Sequence, residues 1–291
     1  MAYYVISSEN LTATINDQGA EIVKIHSTTK KIDYLWNGNP AVWPKTSPVL
    51  FPVIGGLKED TYTYKGIKYK LGRHGFCREK VFKVTEQTKS VITFTLESDA
   101  STLAVYPFAF KFSVKHEIKD NQIFVSYIVE NTDTKPMLFS VGAHPGFNVP
   151  IHKTSIFKDY YLLFSGVENA GRFPINKEGL IENKSVPLLD NTDRMPLTNE
   201  LFYNDALVFK TLKSTSISLL CNTSENGLKY TFHGFPYMGI WQPKDAPFVC
   251  IEPWCGLGDT VGSSYALEEK EGIVTLPVSE TFVRSWDIEF F

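Results

Sequence analysis

The chain has 291 residues, of which 43% are apolar and 14% aromatic, and it carries a net charge of −3 at neutral pH. That length is within the range of a large all-β domain, and the apolar fraction is enough for a sizeable core. The mildly acidic balance, with no run of Lys or Arg interleaved with aromatics, leaves no electrostatic footprint for nucleic acid.

The N-terminus, Met1 to Val5, has neither a basic region nor a long apolar core, so no signal peptide is expected there. No stretch reaches the length of a membrane span. The four cysteines, Cys77, Cys221, Cys250 and Cys255, form no CxxC pair and show no metal-ligand spacing. They are expected as free thiols in a reducing cytoplasm, with no metal and no cofactor. The many Phe and Tyr residues suit pleated, half-buried strands. Some of these rings are also candidates to line a pocket and present apolar faces to sugar C–H groups.

In chain order, Leu11 to Ile15 alternates as a strand, Asn16 to Gly19 turns, and Ala20 to Ile25 returns. Tyr34-Leu35-Trp36 runs into the turn signal Asn37-Gly38-Asn39-Pro40. The segment from Trp43 to Pro52 holds three prolines, Pro44, Pro48 and Pro52, and is too apolar for a solvated linker, so it is expected to pack onto a sheet. Gly55-Gly56 follows, where backbone can approach something closely. Tyr62-Thr63-Tyr64, Lys65-Gly66 and Ile67-Lys68-Tyr69 read as a hairpin with a two-residue turn. In Arg73-His74-Gly75-Phe76-Cys77-Arg78, one His lies among glycines and arginines, in a loop that is either functional or merely exposed.

Strands are expected over Lys80 to Glu86 and Val91 to Glu97, and one helical turn over Ser101 to Val105. Phe108 to Ile118 alternates most cleanly: Phe108, Phe110, Phe112, Val114 and Ile118 share a face, with His116 on it as an interior or a functional His. After the strand Gln122 to Glu130, Met137 to Val141 leads into Gly142-Ala143-His144-Pro145-Gly146, a second His at a strand end. Residues 151–200 read as loop-rich, with one strand at Tyr160 to Phe164. Asp205 precedes the strand Ala206 to Lys210 and by default stabilises that turn. Ile217 to Leu220, Leu228 to Phe232 and Met238 to Trp241 follow. In the last strand, Thr281 to Phe290, Arg284 shares an apolar face with Phe282, Trp286, Ile288 and Phe290 and calls for a carboxylate partner.

The most informative stretch is Phe248-Val249-Cys250-Ile251-Glu252-Pro253-Trp254-Cys255-Gly256. Its continuous apolar run predicts a strand buried on both faces. Pro253 is expected to end it at Glu252, leaving a carboxylate beside an indole at the mouth of a core. That carboxylate is either paired with a nearby Arg or backbone amide, or raised in pKa as a general base. With many short strands, no amphipathic helix of three turns, no linker and no repeat, the chain is predicted to be all-β. The expected architecture is a single domain over 1–291, a large antiparallel β-sandwich.

Four motifs in order, Arg73-His74-Gly75-Phe76, Gly142-Ala143-His144-Pro145-Gly146-Phe147, Asn204-Asp205-Ala206-Leu207 and Cys250-Ile251-Glu252-Pro253-Trp254, resemble the aldose 1-epimerase (galactose mutarotase) family. The likeness is greatest to its shorter bacterial branch associated with lactose operons, and it runs from about Leu11 to Asp287. It implies a β-supersandwich with the site on the concave face of a curved sheet. Glu252 then matches the general base, His144 the general acid, His74 a second His that binds and polarises the sugar, and Asp205 a sugar-hydroxyl ligand. In one departure, Gly56 stands where the family carries an Arg, which leaves Lys58, Arg73 or Arg78 to supply the cation. The expected substrate-binding set is His74, Asp205, Arg78, Lys58 and Trp254. The resemblance implies a small-molecule sugar substrate, no nucleic-acid or membrane partner, and a monomer or homodimer. Two rival readings stand beside the mutarotase: an epimerase of hexose 6-phosphates, and a non-catalytic sugar-binding or regulatory protein.

Overall fold

The computed structural model describes residues 1–291 and is built almost wholly of antiparallel strands. A nine-stranded sheet runs, edge to edge, through Val186–Pro196, Tyr160–Arg172, Ser216–Cys221, Leu228–Thr231, Thr281–Phe290, Gln122–Asn131, Phe110–Lys119, Val91–Glu97 and Lys83–Gln87. A six-stranded sheet runs through Leu207–Phe209, Tyr237–Trp241, Phe248–Cys255, Val141–Ala143 and Val49–Leu50, with Gly146–Asn148 also paired to Phe248–Cys255. A four-stranded N-terminal sheet and two short ribbons complete the architecture. The only α-helix is the turn Ala100–Leu103, where Asp99 and Thr102 form a capping box. No helix is long and apolar enough to cross a membrane.

The period-two pattern of Phe110–Lys119 places Phe110, Phe112, Val114, His116 and Ile118 in the interior. The proline-rich segment packs down as its apolar character requires. Phe51, next to Val49–Leu50, stacks on Phe112 of the nine-stranded sheet with ring centroids 4.6 Å apart and planes at 18°. One apolar cluster of 65 buried residues runs from Ile6 to Phe290 and joins the sheets. All four cysteines are free.

Three expectations are corrected. Pro253 does not end its strand, which continues to Cys255, with Pro253 opposite Met238 and Trp254 opposite Tyr237. On the other side the neighbouring strand is broken: Gly142 faces Trp254, Gly146 faces Cys250, and His144-Pro145 occupies the gap. A residue without an N–H is tolerated at such an irregularity. The 151–200 stretch is not loop-rich either, since Tyr160–Arg172 and Val186–Pro196 form a long pair. Register shifts after Leu163 break their alternation, and the Val186–Pro196 strand is a largely exposed sheet edge, so neither carries the pattern of a buried strand. Arg284 has no carboxylate partner; its guanidinium lies 4.9 Å from the Phe282 ring centroid.

Asp259 and Lys270 form a buried ion pair with side chains 6% and 4% exposed. Asp259 also accepts from the Lys58 N–H at 2.9 Å. Its backbone bonds to the Gly56 carbonyl and the Ile181 N–H, so it ties three segments together. Lys270→Met should lower the unfolding free energy by about 3–5 kcal/mol, because it strands a buried carboxylate. Urea denaturation measures this, and a loss below about 1 kcal/mol would contradict it.

His116 donates from Nε2 to the Ala20 carbonyl at 3.1 Å, and burial lowers its pKa to about 4. The unfolded chain therefore binds more protons than the fold between pH 6.5 and about 4. Stability from this group is complete above pH 6.5 and drains away as pH falls, by about 3 kcal/mol at the lower end. His116→Gln should show a shallower loss of stability over that window in urea titrations. Equal slopes for variant and wild type would refute the assignment.

Candidate active site

The site lies on the six-stranded sheet, where strand ends and irregular connections meet in a cavity of ≈ 240 Å³. Glu252 comes from the central strand, Phe248–Cys255, every residue of which is buried. The double-sided burial read from the sequence thus carries a carboxylate into the interior at 2% exposure. Burial pushes its pKa well above 4.5, and the nearby Asp205 charge adds to the rise. The indole N–H of Trp254 and the Arg73 cation oppose it in part.

His144 enters through the break between Val141–Ala143 and Gly146–Asn148. Its Nε2 lies 3.3 Å from Glu252 Oε2. The ring stacks on Trp43 at 5.0 Å and meets the edge of Trp241 at 5.6 Å. Burial lowers its pKa to about 3, and the Arg78 and Arg73 cations contribute to the drop. Both shifts favour uncharged forms, so the resting pair is a carboxyl beside a neutral imidazole.

His74 sits in the loop after the hairpin, in a left-handed conformation with φ 67°. Its Nδ1 accepts from the Gly55 N–H at 3.1 Å, and its backbone N–H donates to the Gly55 carbonyl. A ring nitrogen that accepts carries no proton, so the proton of neutral His74 is on Nε2. Burial lowers its pKa well below 6.5, with the neighbouring His144 and the arginines adding to the effect. The His74 and His144 rings meet edge to face at 5.5 Å. Asp205, at φ 75°, accepts from the Ala206 N–H at 2.7 Å and also lines the cavity.

Trp254 owes its position to two glycines on flanking strands. A Cβ on Gly142 would lie 2.8 Å from the indole, and one on Gly239 would overlap it more severely. The register sets Gly142 opposite Trp254 and Gly239 opposite Glu252. Small residues there admit the ring beside the carboxylate.

Of the three candidate cations, Arg73 and Arg78 line the cavity and Lys58 does not. The Lys58 ammonium lies 5.0 Å from the Tyr265 ring centroid, and its backbone N–H is tied to Asp259. Arg78 is anchored through Nη2 to the Arg73 carbonyl at 3.0 Å. No local pattern singles out Trp43, Trp241, Ile175, Gly179 or Ile181 as cavity residues. The first two are single aromatics in turn-rich or half-buried segments, and the others fall in the stretch read as loops.

His144, Cys250 and Glu252 each bring one donor atom within 4.8 Å of the others, a set with the chemistry of a zinc site. The Cys250 thiol, however, is packed with Trp36, Ala246 and Phe248, and burial raises its pKa well above 9.0. In this environment it is a protonated, apolar filler. What remains is a buried carboxyl–imidazole pair able to take a proton from one oxygen while giving one to another.

The sequence matches the aldose 1-epimerase family over residues 2–268. It is 31% identical over 294 aligned positions to the plasmid and chromosomal LacX proteins of Lactococcus lactis subsp. lactis, covering 97% of each chain. A galactose mutarotase related enzyme from Lactobacillus acidophilus superposes with a TM-score of 0.95 at 33% identity, over 100% of this chain and 97% of that one. A galactose mutarotase-like protein from Lactobacillus casei ATCC 334 gives 0.92 at 28% identity, over 100% of both. With this sequence match, this fold and these motifs together, the chain belongs to the aldose 1-epimerase family.

Proposed function

We propose that the chain, acting as one domain, interconverts the α and β anomers of a hexose by acid/base-catalysed ring opening. The observation that carries this reading is the buried His144–Glu252 pair, 3.3 Å apart in a cavity walled by tryptophans. Mutarotation removes a proton from the anomeric hydroxyl and adds one to the ring oxygen. The ring opens to an aldehyde, the C1–C2 bond rotates, and closure takes place on the other face. When sugar oxygens replace the dry surroundings of the pair, the carboxyl proton moves to His144. Glu252 is then the carboxylate that takes the O1 proton, and His144 the imidazolium that protonates O5. Closure returns both protons, so no net charge enters or leaves. His74, with its Nε2 proton free to donate, polarises the sugar, and Asp205 accepts from a hydroxyl. Trp254 offers an apolar face, and Arg78 a cation at the cavity edge.

A second reading, an epimerase of phosphorylated hexoses, is favoured by the two guanidinium groups of Arg73 and Arg78 in one small cavity. A purely sugar-binding role leaves a desolvated carboxyl–imidazole pair without a purpose.

Polarimetry of freshly dissolved α-D-galactose and α-D-glucose tests the activity. Glu252→Gln should slow the catalysed decay of rotation by about 10²–10⁴-fold while retaining sugar binding. A variant as fast as wild type would sink the role of Glu252. The raised pKa also has a stability consequence. The fold favours the neutral carboxyl, so stability from this group is present below pH 4.5 and lost as pH climbs through the raised value. Glu252→Gln keeps the neutral form at every pH. Its melting temperature relative to wild type should therefore rise between pH 4.5 and 8, and a difference that stays flat with pH would contradict the assignment.

A further inference from the structure

The Arg73 guanidinium faces the cavity without a protein partner. It lines the cavity with Glu252 and His144. No ion pair of the chain involves it. Its backbone carbonyl accepts from Arg78 Nη2, while its guanidinium N–H groups have no protein acceptor. The residue is exposed, and the tip of its side chain lies in a notch between two glycines. A Cβ on Gly179 would stand 2.6 Å from Arg73 Nη2, and one on Gly56 4.0 Å away.

The notch is built. Asn176 organises the turn that carries Gly179: its Oδ1 accepts from the Glu178 and Leu180 N–H groups at 3.1 and 3.0 Å, and its carbonyl accepts from Gly179. Gly179 takes φ +78°, a left-handed conformation that glycine adopts without strain. Just beyond the turn, Ile181 packs with Trp254 and donates its N–H to the Asp259 carbonyl. The same Asp259 receives Lys270 and bonds to Gly56. Both walls of the notch are thus anchored to one buried ion pair, and the donors of Arg73 remain for something that enters the cavity.

We propose that Arg73 contacts the substrate, donating a forked pair of hydrogen bonds to two oxygens of the sugar, and that Gly179 keeps open the notch through which it reaches them. This rests on the epimerase reading for its substrate. Two sources supply such an acceptor pair: neighbouring hydroxyls of a free hexose, or an anionic group carried by the sugar.

Anomer exchange measured by NMR magnetisation transfer, on galactose and on glucose 6-phosphate, tests it. Arg73→Ala should lower kcat/KM by about 10- to 100-fold, mainly through KM, with Arg73→Lys intermediate. Added guanidinium should restore part of the loss in Arg73→Ala and nothing in wild type. Gly179→Ala should reproduce the defect, and the double variant should be no worse than the poorer single one, because both changes remove the same contact. A greater loss on the phosphorylated sugar identifies an anion as the acceptor, and an equal loss identifies hydroxyls. Arg73→Ala within twofold of wild type on both sugars, or losses that simply add in the double variant, would overturn the proposal. Binding followed by tryptophan fluorescence separates the two readings, since Trp43, Trp241 and Trp254 line the cavity. If wild type binds a sugar but accelerates no exchange, the epimerase reading falls, and Arg73 stands only if Arg73→Ala weakens that binding. If wild type binds neither sugar, both fall.

Discussion

The desolvation of one carboxylate governs this molecule. Glu252 lies at the centre of a sheet on a strand with no exposed residue, a position that water would normally claim for a carboxyl group. Two things make it tolerable. Burial favours its neutral form, and the polar His144 Nε2 stands 3.3 Å away. A carboxyl poised in this way is a poor contributor to stability and a good participant in proton transfer. Strongly shifted pKa values of this kind cluster at functional sites.

Room beside that carboxylate comes from what the strands omit. The neighbouring strand is broken at His144-Pro145, so the imidazole enters from the side. Glycines at 142 and 239 leave the width of an indole for Trp254. The opposite wall is drawn in by the Asp259–Lys270 pair, which holds the Gly56 and Ile181 segments against each other. Conventional β packing supplies rigidity through the large shared core, and each local departure from it opens the cavity or aims a side chain into it.

Local chemistry decides which parts of the molecule can be read without coordinates. The hairpin around Lys65-Gly66, the alternation of Phe110–Lys119 and the final strand Thr281–Phe290 follow from turn residues and period-two patterning, which act between near neighbours. The Tyr160–Arg172 and Val186–Pro196 pair escapes the same reading. Its bulges break the period, and one partner is an exposed edge with little apolar signal. Pro253 misleads for a related reason. The rule that proline ends a strand assumes an intact neighbour on both sides, and here one neighbour is interrupted.

His74, His144, Asp205 and Glu252 could be named from the sequence because each stands in a short motif at a strand end or sharp turn. All four do converge on one cavity. The sequence by itself determined the all-β class, the membership of the family and this set of polar side chains, since composition, periodicity and motif are properties of adjacent residues. The tertiary structure alone decided which cations face the cavity, that Arg284 stacks on a ring, and that a turn at residues 176–180 forms a wall of the site. Those outcomes depend on distances between segments far apart in the chain, set by how two sheets and one buried ion pair pack together, and no local pattern records them.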